Sequence, residues 1–301
     1  MIIAITGATG FLGRHIANYF LHHGDHCRCW CRPTSDRTGF LDDGKNIEWI
    51  CGQLNDDSSE LIRGADAVVH SALAHRTDHM DRRQNIINFI ETNMMGTLRL
   101  IEQAKQFSIK RFVFISTCAV HEYILDDRNL DEAHPLWPGN HYGAYKAAIE
   151  KFVHSYGRPK SWPICALRPT GIYGPTHPVS KSRWYGLISD IVAGNNLSSA
   201  AGGKEVHVRD VVRAIDFLIK LDPEDVAGQV FNCCDMYVAE QDIALIAKQY
   251  SGSASIITRK NKGPKHQIDT TKLRALGMNF GGRNLLKTTI HEFVDHIQRP
   301  R

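Results

Sequence analysis

Apolar residues follow two rhythms along the first half of this chain. Short apolar runs alternate with stretches in which apolar residues return every three or four positions, the signatures of strand and helix. The runs are Met1 to Thr6, His26 to Arg32, Ile47 to Cys51, Ala65 to His70, Arg111 to Ile115 and Pro163 to Leu167. Helical spacing fills the intervals: Ile16, Phe20 and Leu21 within residues 14–21, then Ile86, Ile87, Ile90, Met94, Leu98 and Ile101 within about 83–107, then residues 141–155. Pro33 stops the second strand, and Asn93 and Gly96 interrupt the long helix. The fifth run is continuously apolar, as in a strand buried on both faces. Strands alternating with helices predict an α/β fold with a doubly wound parallel sheet.

The rhythm loosens after Gly171. Residues 172–178 read as a loop, 183–192 as a helix and 198–204 as polar and glycine-rich. A short strand at 206–208 precedes a helix over 211–221, with Asp210 placed to cap it. A strand over 229–233 and helices over 241–250 and 287–297 complete the chain. The expected division is a dinucleotide-type domain over 1–170, with returning segments near 206–235, and a smaller lobe over 171–301 interleaved with it. Residues 75–81 and 120–140 read as polar loops. The helices near 83–107 and 141–155 carry apolar surface beyond what one sheet face needs, so a homodimer through them is expected.

Composition narrows the class. The chain has 301 residues and a net charge of +4. Its Lys and Arg are scattered, which argues against nucleic acid or a membrane surface as partner. No apolar stretch approaches the roughly 20 residues that span a bilayer, and the N-terminus enters a strand at once, so a cytoplasmic location is expected. Cys27, Cys29 and Cys31 alternate on one strand and share a face. No second ligand pair stands at zinc spacing, so the eight cysteines read as reduced core residues and no metal is expected. Cys233 and Cys234 point to opposite faces and should not pair with each other.

Candidate chemistry begins at Gly7-Ala8-Thr9-Gly10-Phe11-Leu12-Gly13, between the first strand and the first helix. Gly7 permits a sharp turn, Gly10 permits close approach of a pyrophosphate, and Gly13 lets the helix lie against the strand. The free N–H groups at the helix start then hold the anion. The sheet is therefore expected to be of Rossmann type. Such folds place an acid at the end of the second strand to hold the adenosine ribose. Here Cys31 and Arg32 stand there, and a guanidinium can fork onto a ribose 2′-phosphate. NADP is thus expected over NAD, with Arg14 able to assist. The alternative is that Arg32 is a solvated strand end and that Ser35 or Asp36 reaches the ribose. Gln53 and Leu54 are placed beside the adenine, and Ser71 and Ala72 beneath the cofactor.

Tyr142-Gly143-Ala144-Tyr145-Lys146 puts Tyr142 and Lys146 on one helix face. A free tyrosine ionises near 10, and an adjacent ammonium favours the phenolate. A shift of about three units takes roughly 4 kcal/mol. Tyr145 has no lysine four residues on and reads as packing.

In these stretches the chain resembles the extended short-chain dehydrogenases/reductases, also called the NAD-dependent epimerase/dehydratase family. The resemblance spans nearly the whole chain. It adds Asn93-Met94-Met95-Gly96-Thr97, Phe114-Ile115-Ser116-Thr117, Asp131-Glu132, Arg168-Pro169-Thr170-Gly171-Ile172-Tyr173-Gly174-Pro175 and Val206-His207-Val208-Arg209-Asp210-Val211 to the segments above. It implies that Tyr142 is the acid/base. Lys146 would bind the nicotinamide ribose and favour the phenolate. Thr117, or Ser116 beside it, would hydrogen-bond the reacting oxygen, and Pro169 and Ile172 would line the nicotinamide pocket.

Three departures qualify it. Cys118-Ala119 replaces the Asp-Glu pair of sugar-nucleotide dehydratases, so β-elimination lacks its acid and base. Val120-His121-Glu122 replaces a Val-Tyr-Gly run and alters the substrate wall, on which Cys118 and His121 are expected. The arginine found in many sugar-nucleotide members before the Val-His-Val segment is Lys204, which bears on a nucleotide-diphosphate substrate. Arg32-Pro33-Thr34-Ser35-Asp36 looks more like the reductase branch.

The expected activity is hydride transfer between a nicotinamide and a carbinol or ketone carbon of a small molecule. A sugar-nucleotide epimerase that retains NAD is the alternative, and a non-catalytic NAD(P) sensor the reading from another class. Tyr173, Arg183, Trp184 and His207 are expected to face the cofactor cleft and hold substrate, against a reading in which Trp184 is core and Arg183 solvated.

Overall fold

The computed structural model describes residues 1–41, 44–74, 85–158, 162–260, 263 and 265–299. The chain divides into two compact units, one of residues 1–168 and 212–232, the other of residues 169–211 and 233–301.

The first unit is built on a seven-stranded sheet. Six strands come in sequence: β1 (Ile2–Thr6), β2 (His26–Cys31), β3 (Ile47–Cys51), β4 (Ala67–His70), β5 (Arg111–Ile115) and β6 (Ile164–Pro169). The seventh, Gln229–Cys233, flanks β6, and the order across the sheet continues β5, β4, β1, β2, β3. β1 lies parallel to both β2 and β4, with Ile5 opposite Cys29 on one side and Val69 on the other. The order in which successive strands are added therefore switches sides between β1 and β4, the place where such sheets bind ligands. β5 is buried from Phe112 to Ile115. Phe112 and Phe114 pack with Leu100, Ile101, Tyr145 and Ile149 from two helices.

The long helix runs as Ile86–Phe89, a π-helical turn over Ile90–Met95, and Gly96–Gln106. The two residues that interrupt its pattern are contact points. Asn93 is buried; its Oδ1 accepts from the Ala74 N–H at 2.8 Å, and its Nδ2 donates to the Ala74 and Phe89 carbonyls. A Cβ on Gly96 would lie 2.5 Å from the Leu54 carbonyl oxygen, so only glycine lets the helix pass there. The loop expected over 75–81 and the start of the helix at Arg83 fall outside the described residues.

The second unit has a three-stranded sheet, Met236–Ala239, Gly202–His207 and Gly171–Tyr173, and a two-stranded one, Ile257–Arg259 with Leu197–Ser199. Its core joins Tyr173 and Val238 to Ile188, Ile191, Ile243, Leu286, Ile290 and Phe293. Three local expectations are corrected. Residues 171–173 form a strand rather than loop, because their backbone pairs in parallel with residues 205–207. Asp210 lies inside the helix Val208–Lys220 instead of capping it, and its Oδ2 accepts the Gly281 N–H at 2.8 Å. The helix expected from Arg183 starts at Tyr185, because Trp184 takes a left-handed conformation with φ of 66°.

All eight cysteines are free, and Cys27, Cys29 and Cys31 are buried. Among the described residues no helix is long and apolar enough to cross a membrane, and no group of His, Cys, Asp and Glu is arranged to hold a metal ion.

Candidate active site

The glycine turn is closely packed and opens directly into a helix. Gly7 sits at φ of 72°, and a Cβ there would lie 2.8 Å from the Ala72 backbone. A Cβ on Gly13 would fall 2.0 Å from the Gly7 carbonyl oxygen, so the helix Phe11–His22 starts in direct contact with the turn. Gly10 is the N-cap residue, and no side chain caps the helix. Its first N–H groups and the positive end of its dipole therefore point at the turn. Ser71 and Ala72 run alongside: Ser71 Oγ donates to the Thr6 carbonyl at 2.8 Å, and the Ala72 N–H donates to Thr6 Oγ1 at 3.2 Å.

A buried chain of hydroxyls and an imidazole ties this turn to the next helix. Thr97 Oγ1 donates to the Asn93 carbonyl at 2.6 Å, so its other contacts must donate to it. These are His70 Nε2 at 2.8 Å and the Tyr145 hydroxyl at 2.9 Å. His70 is then the Nε2–H tautomer, and its Nδ1 accepts from Thr6 Oγ1 at 2.6 Å. Burial lowers the His70 pKa to about 3. Its ordinary value is near 6.5. Between these values the unfolded chain binds a proton that the folded one refuses, so acid destabilises the fold. Stability is expected to fall as pH drops from about 6.5 toward 3, and urea titrations of His70→Gln should show a shallower fall over that window.

Arg14, buried on the helix Phe11–His22, turns to the loop after β2. Its guanidinium donates to the Thr38 and Asp36 carbonyls, lies 3.8 Å from the Asp36 carboxylate and sits 4.4 Å from the Phe40 ring centre. The expected assistance from Arg14 is thereby corrected: this residue braces the loop after β2. Arg32 is exposed, and its N–H donates to Ser35 Oγ at 3.0 Å. Asp36 Oδ1 accepts from the Thr38 N–H and hydroxyl. Gln53 is exposed and Leu54 buried.

The helix His141–Gly157 carries Tyr142 and Lys146, four residues apart. Asn140 caps it by accepting the Gly143 N–H at 2.8 Å. A Cβ on Gly143 would lie 2.7 Å from both the Ala119 carbonyl oxygen and Pro138, so glycine lets the helix rest directly on the turn after β5. Thr117 opens that turn, its Oγ1 accepting the Ala119 N–H at 3.1 Å. Tyr142 directly precedes this contact. Lys146, only 3 % exposed, donates from Nζ to the Ile115 carbonyl at 2.6 Å and lies 5.9 Å from the Tyr142 ring centre. Burial brings its pKa down to about 7, against the opposing pull of Glu150.

Glu150 and Arg168 form a buried ion pair that pattern reading missed. Arg168 Nε and Nη2 donate to the two Glu150 oxygens at 2.9 and 2.7 Å, with both side chains almost fully enclosed. Ser116 donates its hydroxyl to the same carboxylate. Ser116 is therefore engaged in the interior, which corrects its reading as a substitute for Thr117. His121 is buried, with Nε2 3.2 Å from Arg168 Nη1, and its ring stands edge-on to His134. Cys118 Sγ donates to the Arg168 carbonyl at 3.1 Å. The available signal was Glu150 four residues after Lys146, and an arginine closing an apolar strand.

In the second unit, Tyr173 is fully buried, with Trp184 5.0 Å and His207 4.9 Å from its ring centre. Trp184 is half-buried, Pro169 and His207 are buried, and Ile172 is half-buried. Arg183 is exposed and donates from Nη2 to Glu205 Oε1 at 2.6 Å. Glu205 lies over Gly171 and Gly203, where a Cβ would come within 2.3 and 2.4 Å of its oxygens, and burial raises its pKa to about 7.

The model of the NAD dependent epimerase/dehydratase family matches residues 3–234. A low-salt glycan biosynthesis protein of Haloferax volcanii is 27% identical over 297 residues, covering 92% of this chain and 93% of its own. The dTDP-D-glucose 4,6-dehydratase of Mus musculus is 25% identical over 91% of this chain and 83% of its own. Among solved structures, the UDP-glucuronic acid 4-epimerase of Bacillus cereus in complex with NAD superposes with a TM-score of 0.78. It is 22% identical, and the match covers 99% of each chain.

Proposed function

The chain belongs to the NAD dependent epimerase/dehydratase family, and from that premise we propose that it is an NAD(P)-dependent oxidoreductase acting on a carbinol or ketone carbon of a small molecule. The observation that carries this reading is the seating of Tyr142 and Lys146 on a helix that Gly143 presses onto the Thr117 turn. The cofactor's pyrophosphate fits the cradle at Gly7, Gly10 and Gly13, where any side chain on Gly13 would fill the turn.

A bound nicotinamide supplies or accepts the hydride at the substrate carbon. Thr117 and Tyr142 hold the reacting oxygen, and Tyr142 gives it a proton or takes one. The Lys146 ammonium lies where it favours the ionised phenol. Thr9, Phe11 and Leu12 would complete the pyrophosphate turn, Gln53 and Leu54 would flank the adenine, and Ser71 and Ala72 would floor the cofactor. Within the second unit, Arg183 and Trp184 would contact substrate, with Tyr173 packed behind Trp184.

Arg32 makes NADP the preferred cofactor. Exposed at the strand end and free of the commitments that hold Arg14, it suits a 2′-phosphate. Arg32→Ala is expected to narrow the NADPH-over-NADH preference by about 1–3 kcal/mol, the worth of a hydrogen bond to a charged group. Equal affinities in the unmodified protein, measured by calorimetry, would remove the basis for this assignment.

A sugar-nucleotide epimerase is the second reading, favoured by the end-to-end match to a solved 4-epimerase. Cys118-Ala119 speaks against a dehydratase. An epimerase would be purified with nucleotide bound and return it unchanged after turnover, whereas a reductase consumes NADPH with a ketone. A homodimer through the helices near 83–107 and 141–155 is part of the proposal, since Ile87 is left 62 % exposed; sedimentation gives its mass.

A further inference from the structure

Tyr145 takes part in more than packing. The Lys146 ammonium, enclosed away from water, has three N–H donors to satisfy, and the Ile115 carbonyl meets one of them at 2.6 Å. Around the same nitrogen stand two ring faces, Phe114 at 4.4 Å and Tyr145 at 5.0 Å to the ring centres. Both distances are within the range in which an aromatic face attracts a cation, an attraction that grows when water is excluded. The Tyr145 ring cannot drift, because its hydroxyl is bonded to Thr97 Oγ1 and that oxygen is fixed by the Asn93 carbonyl and His70. Phe114 is equally fixed, as a fully buried residue of β5.

We infer that Tyr145 is a positioning residue for Lys146: its ring and that of Phe114 form an aromatic cage that holds the ammonium at the Ile115 carbonyl, and the Thr97–His70 chain holds the ring. The inference rests on the proposed role of Lys146 only for its consequence in catalysis; the cage itself stands on the contacts just given. The other groups facing Lys146 do not replace it. Tyr142 lies further off at 5.9 Å. Glu150, one turn along the same helix, attracts the charge but accepts its hydrogen bonds from Arg168 and Ser116. His70, on β4, is held neutral by burial and carries no charge to offer.

Lysine-selective ¹³Cε labelling tests this without a substrate. The nucleotide-free protein is titrated by NMR, with the Lys146 resonance identified by its loss in Lys146→Met. Tyr145→Phe keeps the π face but frees it from Thr97, so its Lys146 midpoint should fall less than that of Tyr145→Met. Tyr145→Met keeps the site apolar but removes the π face. The charged form then loses support, and the Lys146 midpoint should fall by about 0.4–1.5 pH units. A midpoint that stays or rises overturns the cage. If Tyr145→Met does not fold, Phe114→Leu removes the other face and should also lower the midpoint, and no fall there overturns the cage equally. A lowered midpoint combined with undiminished turnover in Lys146→Met would leave the cage standing and remove Lys146 from the catalytic reading.

Discussion

Tyr142→Phe is expected to reduce turnover by roughly 10²–10⁴, the usual worth of general acid–base catalysis, while nucleotide affinity stays near that of the parent. The substitution keeps the ring, its volume and its place at the first turn of the His141–Gly157 helix. Only the transferable proton is lost. Asn140 still caps the helix, and Gly143 still rests on the Ala119 carbonyl, so the Thr117 turn and the buried Lys146 keep their positions. Stopped-flow or steady-state rates with a ketone found by screening against NADPH give the turnover, and calorimetry gives the affinity. A parent-like rate would reduce Tyr142 to a packed helix residue. Lys146→Ala should differ in kind, losing affinity together with rate, because the same side chain serves the ribose and the phenol.

Arg168→Met is expected to lower the unfolding free energy by about 3–5 kcal/mol, the cost of leaving a buried charge without its partner. The Glu150 carboxylate is fully enclosed, and Arg168 supplies two of its hydrogen bonds, with Ser116 giving a third. With the guanidinium gone, the carboxylate must take up a proton or stay charged in an apolar interior, and both are unfavourable. Replacing both partners removes the charge as well as the pairing. Arg168→Met combined with Glu150→Leu should therefore be more stable than Arg168→Met alone. Urea denaturation of the single and double variants measures the difference. A single variant within 1 kcal/mol of the parent would show that the pair contributes far less than breaking a buried pair usually costs.

The doubly wound sheet could be read from the sequence because its signals are local. The apolar run of β5 and the regular return of Ile86, Ile90, Leu98 and Ile101 are each contained within one element. Gly7, Gly10 and Gly13 announce their turn by spacing alone, and the structure shows the reason at Gly13, where no Cβ fits. What escaped was set by distant partners. The strand Gly171–Tyr173 is three residues long and exists because residues 205–207 pair with it. Glu150 and Arg168 look like ordinary charged residues until the fold brings them together across 18 positions. Asp210 has the composition of a cap, but a backbone N–H 71 residues away claims its carboxylate. Asn93 breaks a helical pattern for a similar reason, because it clamps the Ala74 backbone.

The central claim is hydride transfer at a nicotinamide held beside Tyr142, and the absorbance of the reduced nicotinamide reads it most directly. NAD- or NADPH-loaded protein is mixed in turn with a panel of ketones and with nucleotide-activated sugars. The proposed function predicts either steady loss of the NADPH band with a ketone or a transient gain of the NADH band with a sugar, each abolished in Tyr142→Phe. Tight nucleotide binding with no change in the band across the whole panel would contradict it and favour a protein that senses the nucleotide without using it.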